Sequence, residues 1–134
     1  MSLRRDVAEL AHGRCEYCQS PEAYSSTTYC LEHIEPLSTG GVTCLENIAF
    51  ACQGCNGFKG DKTAVWDASS RKAVRLFHPR RDRWARHFAW SENGLEMVPK
   101  TLIARLTITT LKLNRPALRN LRRVLMQSMI HPPE

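Results

Sequence analysis

Four of the six cysteines in this 134-residue chain come in two pairs, Cys15-Glu-Tyr-Cys18 and Cys52-Gln-Gly-Cys55, with 33 residues between the pairs. Two such knuckles offer four thiolates to a tetrahedral ion, and Zn²⁺ is the ion that four sulfurs suit. The gap is longer than in a short zinc ribbon, so a folded insert is expected between the knuckles. The competing chemistry is a dithiol redox pair. Each CxxC would then need a βαβ unit around it, and the sequence offers none. No apolar segment follows the charged residues at the N-terminus, so no secretory signal is read. A cytoplasmic, reducing setting is the expectation, and disulfides are disfavoured there. Cys30 and Cys44 fit neither knuckle and read as small buried apolar residues.

The insert carries candidates of its own. Glu32-His33-Ile34-Glu35-Pro36 stands before a Gly40-Gly41 loop, and Asn47 stands after it. The second knuckle runs directly into Asn56-Gly-Phe-Lys59-Gly-Asp-Lys62. This set resembles the HNH endonuclease motif on a ββα-metal fold, in the form stapled by two CxxC knuckles. The likeness covers roughly residues 13–62. Residues 72–131 also resemble the tail of small stand-alone bacterial HNH proteins, through Leu76-Phe-His-Pro-Arg80, Arg83-Trp84, His87-Phe88, Trp90-Ser91 and Leu113-Asn-Arg-Pro116.

The resemblance implies a role for each position. His33 is the general base, Glu32 and Asn56 hold the catalytic cation, and Asn47 braces the loop between the strands. Two positions depart from the usual pattern. Glu32 stands where Asp is commoner, and Asn56 stands where His is commoner, a variant also seen in the HNH domain of RNA-guided CRISPR nucleases. Both keep oxygen donors, which suit Mg²⁺ or Mn²⁺. The chemistry matches the set: a neutral imidazole takes a proton from water near pH 7. One cation then stabilises the charge that develops on the phosphate and the leaving oxygen. Lys59 and Lys62, next to Asn56, are expected to hold scissile-strand phosphates. Taken singly, each residue has a plainer reading: His33 a surface group, Asn47 a turn residue, the two lysines a solvated pair. Adjacent strand residues face opposite ways, so Glu32 and His33 share one site only if the strand ends or twists there.

Local patterns set out the elements around this site. Residues 3–12 read as a helix capped by Ser2 and stopped at Gly13. Residues 28–34 and 47–52 read as strands, and residues 55–62 as a short helix weakened by two glycines. Further on, residues 74–77 read as a strand and residues 78–82 as a turn. Residues 84–90 and 95–98 read as a hairpin about Asn93-Gly94. Residues 99–113 fit helix or strand, with helix preferred. A last helix begins with Asn114 as its cap and Pro116 in its first turn. Its apolar stripe is Leu118, Leu121, Val124 or Leu125, and Met129. Trp66, Trp84 and Trp90 read as core rather than stacking platforms.

Composition closes off other classes. Hydrophobic residues at 43% and charged residues at 24% describe a globular domain rather than a disordered chain. No apolar run is long enough for a membrane span. The net charge of +6 is uneven: residues 1–70 hold 5 Lys/Arg against 9 Asp/Glu, and residues 71–134 hold 14 against 4. That basic half points to a polyanion. The expectation is an α+β chain. Residues 1–66 form the ββα-metal nuclease core with its Cys₄ clip, and residues 67–134 form a basic hairpin and helical extension packed on it. The expected activity is metal-dependent hydrolysis of DNA, with RNA not excluded, by a monomer or homodimer. Arg80, Arg81, Arg83, Arg86, Arg119, Arg122 and Arg123 would add backbone affinity. The alternatives are a non-catalytic zinc module that binds nucleic acid and, third, an adaptor for an acidic protein.

Overall fold

The computed structural model describes residues 2–134. They divide into two compact units: one runs through Thr63 and takes in His78–Asp82, and the other comprises Ala64–Phe77 and Arg83–Glu134.

The first unit is a ββα arrangement preceded by a helix. Helix α1 (Leu3–Leu10) begins where the Ser2 side chain accepts from the Arg5 amide, and it buries Val7. Strand β1 (Cys30–His33) pairs antiparallel with β2 (Ile48–Ala51), in the register Cys30↔Ala51 to His33↔Ile48. All four β2 residues are buried, so this strand is the floor of the unit, with Tyr29 tilted against Phe50. Helix α2 (Gln53–Lys59) follows β2 directly. It starts two residues earlier than its sequence suggests, because the Cys52 sulfur accepts from the Cys55 amide and caps it. It ends at Gly60, whose φ of +55° and ψ of −135° suit glycine alone. The segment His78–Asp82 is tied into this unit through Arg80, which donates to the Ile48 carbonyl at 3.1 Å and pairs with Glu16.

The second unit holds strands β3 (Ala64–Asp67) and β4 (Lys72–Arg75), paired antiparallel. It continues with helix α3 (Trp84–His87) and the pair β5 (Phe88–Trp90) and β6 (Met97–Pro99). Helices α4 (Leu102–Leu111) and α5 (Pro116–Gln127) complete it. Its core gathers Val74, Phe77, Phe88, Met97, Leu106, Leu111, Leu113, Leu118 and Leu125. The mixed α/β class agrees with the sequence reading, and several details do not. Residues 84–87 are a helical turn rather than strand, and β3 has no counterpart in the local pattern. Asn114 does not cap α5; Arg115 holds that position without a side-chain bond. The Asn114 side-chain amide instead exchanges two hydrogen bonds with the Met97 backbone on β6, accepting at 2.7 Å and donating at 2.9 Å. Val124 and Met129 are exposed where a stripe was expected, and Trp66 is 67% exposed on β3.

Candidate metal centre and active site

The insert brings the two knuckles together. The Glu16 amide donates to the Phe50 carbonyl at 2.8 Å, which seats the first knuckle against β2 just ahead of the second. The sulfurs of Cys15, Cys18, Cys52 and Cys55 all lie within 4.8 Å of one another. Four thiolates about 2.3 Å from a central zinc stand about 3.8 Å apart, and the Cys18 and Cys52 sulfurs are 3.8 Å apart. Each knuckle also turns one amide onto its own first sulfur: Cys18 onto Cys15 and Cys55 onto Cys52, both at 3.4 Å. Burial pushes the Cys15 thiol well up, while hydrogen bonds from the neighbouring thiols, Cys15 first, hold Cys52 well below the usual thiol range. So many sulfurs packed together ionise fully only around a cation. The donor set fits Zn²⁺, and Cys30 and Cys44 lie outside it, half-buried and free.

Beside the clip lies an open pocket of about 330 Å³ whose lining includes Glu32, His33, Ser38, Asn56 and Asp61. His33 ends β1, and its Nε2 sits 2.8 Å from the Thr43 hydroxyl. Asn47 clasps the loop between the strands. Its Oδ1 accepts from the Glu35 amide at 2.9 Å. Its Nδ2 donates to the carbonyls of Glu35, at 3.0 Å, and Val42, at 2.8 Å. Gly41 fills the rest of that loop so closely that a Cβ there would stand 1.9 Å from the Glu35 carbonyl oxygen.

Glu32 has partners inside the fold that its position in the motif does not announce. Strand alternation holds at this point: His33 turns outward to Thr43, and Glu32 turns inward. Glu32 is 4% exposed. Its Oε1 accepts from Lys59 Nζ at 2.5 Å, and its Oε2 accepts from the Tyr17 hydroxyl at 2.8 Å. Burial raises the Glu32 carboxyl above its ordinary range, opposed by the Lys59 charge. Both oxygens therefore take part in a clamp joining β1, α2 and the first knuckle, while Glu32 also lines the pocket. Lys59, expected on a phosphate, is turned inward to this carboxylate. At 1% exposure, with a further bond of 3.1 Å to the Ile34 carbonyl, its ammonium reaches no phosphate. Lys62 is exposed. Sequence patterns gave no sign of Tyr17 or Thr43. Each contact spans a loop; Tyr17 sits inside the first knuckle without being one of its thiols, and Thr43 belongs to no spacing motif.

The arginines divide in the same way. Arg81, Arg83, Arg86 and Arg123 are exposed. Arg80 is committed to Glu16 and Ile48, as above, and so is not a phosphate contact. Arg122 is corrected too. It is 1% exposed, donates to the carbonyls of Leu95 and Leu113 and to Asn114 Oδ1, and lies 5.0 Å from the Trp90 ring centre. Three carbonyl-type acceptors and an aromatic face account for its burial without a carboxylate. Arg119 makes a loose pair of 3.8 Å with Glu96, both part-exposed. Among the described residues, no helix is long and apolar enough to cross a membrane.

Residues 15–62 match the family model described as HNH endonuclease, a span that contains all four clustered cysteines and every lining residue of the pocket. The chain carries an HNH domain over those residues. No curated protein and no solved structure matches the chain.

Proposed function

With residues 15–62 an HNH domain, we propose that the chain is a metal-dependent endonuclease that hydrolyses DNA with His33 as general base on water. The observation that carries this reading is the placing of His33 at an open pocket shared with Asn56 and Asp61, with one ring nitrogen already held by Thr43. The remaining nitrogen, Nδ1, is the atom that takes the proton from water. A neutral imidazole does this near pH 7. Asn47 keeps the loop closed beside that imidazole, and the buried Glu32–Lys59 pair ties β1 to α2.

The pocket also fits a hard cation. The side-chain oxygens among its lining residues belong to Glu32, Ser38, Asn56 and Asp61, a set suited to Mg²⁺ or Mn²⁺ rather than to a soft ion. When bound, such an ion supplies charge stabilisation at the phosphate oxygens. Lys62, next in sequence to the pocket's Asp61, and Arg81, Arg83, Arg86, Arg119 and Arg123 elsewhere supply sequence-independent attraction to the backbone.

The test is nicking of supercoiled plasmid with and without Mg²⁺ or Mn²⁺, by wild type and His33→Ala of matched purity. His33→Ala is expected to lose about 10²–10⁴-fold in rate, with zinc content and DNA affinity unchanged. Equal nicking by the two proteins refutes the mechanism. The burial of Glu32 favours a second reading, a zinc-stapled module that binds nucleic acid without cutting it. That reading requires the wild type not to nick at all.

A further inference from the structure

We propose that Thr43 is a positioning residue for His33: its hydroxyl accepts from Nε2–H, which fixes the imidazole tautomer and leaves Nδ1 as the basic atom. This inference rests on the reading of His33 as the general base. The contact is 2.8 Å long, within the range of a well-formed hydrogen bond.

Thr43 belongs to an exposed loop, so what fixes it must be explained. The clasp made by Asn47 supplies the answer. Its amide ties Glu35 on one side of the loop to Val42 on the other, and Val42 is the residue before Thr43. Gly41 packs onto the Glu35 carbonyl with no room for a side chain, and its own amide donates to the Pro36 carbonyl at 3.0 Å. The loop therefore returns to the end of β1 along one path, and the side chain delivered opposite His33 is a hydroxyl. A β-branched residue is stiff at χ1, so this hydroxyl is held with little freedom.

The chemistry follows from the inventory of a neutral imidazole. One ring nitrogen carries hydrogen and the other a lone pair, and the partner of one selects the role of the other. A threonine hydroxyl can accept or donate; as the acceptor from Nε2–H it still gives its own hydrogen to solvent. The lone pair then stands on Nδ1. Asn47 thereby acts on the base at second hand, through loop and hydroxyl, as well as closing the loop.

The experiment uses full-length, zinc-loaded protein with Thr43→Val and Thr43→Ser. Valine keeps the shape and removes the hydroxyl; serine keeps the hydroxyl. Proton–nitrogen spectra of the ¹⁵N-labelled imidazoles, taken where the rings are neutral, are expected to show His33 as the Nε2–H tautomer in wild type and Thr43→Ser. Thr43→Val is expected to give a mixture. In plasmid cleavage, Thr43→Val should lower kcat by about 10- to 100-fold with KM little changed, and Thr43→Ser should recover most of it. An unchanged tautomer in Thr43→Val, or equal kcat for the valine and serine variants, overturns the proposal. If wild type does not cut, the nuclease reading fails with it. The spectra still decide whether Thr43 sets the ring: a changed tautomer upholds that contact and an unchanged one removes it.

Discussion

Replacing Lys59 with methionine removes the partner of Glu32 and leaves its carboxylate inside the first unit. The magnitude follows from the geometry. The side chains of Lys59 and Glu32 are 1% and 3% exposed and 2.5 Å apart, so solvent screens the pair very little. At an effective dielectric of about 20 the attraction is about 7 kcal/mol, and desolvation of the two ions offsets most of it. The intact pair is then near neutral in net terms, whereas removing one partner costs about 3–5 kcal/mol. Lys59→Met is expected to lose that much in urea unfolding followed by far-UV circular dichroism, with zinc kept saturating. Glu32→Gln combined with Lys59→Met should be less damaged than Lys59→Met alone, because the amide still accepts from Tyr17 and no charge is stranded. The pH dependence has a definite sign. Burial already raises the Glu32 carboxyl, and loss of the opposing Lys59 charge raises it further. A carboxyl that holds its proton more tightly folded than unfolded makes stability fall as pH rises through the ordinary carboxylate range. The deficit of Lys59→Met should therefore be largest at neutral pH and shrink toward about pH 4. A loss below about 1 kcal/mol, the range of an exposed pair, would refute the reasoning and return Lys59 to the surface.

Two further outcomes are expected. Native protein should carry one zinc per chain by elemental analysis, and Cys52→Ser should lose the zinc and loosen residues 15–62. Structural zinc is worth about 10–16 kcal/mol apparent in small peptides, against about 5–15 kcal/mol for a whole domain; a folded, zinc-free Cys52→Ser would refute this. The arginines of α5 should separate into two kinds. Arg122→Ala should destabilise by about 3 kcal/mol or more through stranded carbonyls, as a lowered melting temperature. Arg123→Ala should hold stability within about 0.5 kcal/mol while reducing the slope of log K against log salt by up to about one. The reverse pattern in melting and binding would show that the two residues have been misassigned.

The zinc clip was legible in the residues alone because chelation by a CxxC is a local matter. Two thiolates three positions apart meet one ion whatever lies beyond them, and only the meeting of the two knuckles needed the fold. The elements around the clip were legible for a similar reason, since hydrophobic period and turn residues act over a few positions. They were less legible where context intervened, as at Asn114, which reads as a helix cap and pairs with β6 instead. The direction in which each charged side chain points was not written locally. Lys59 and Arg122 carry the same local marks as Lys62 and Arg123, yet the first two are buried and the last two exposed. Burial of a charge requires acceptors assembled from afar. Lys59 finds its carboxylate 27 residues away, and Arg122 finds the Leu95 carbonyl at the same separation. Glu32 was drawn inward by those same distant partners, Lys59 and Tyr17. An isolated sequence window shows the charge on a side chain; the desolvation that decides whether it faces a ligand or another residue is set by everything packed around it.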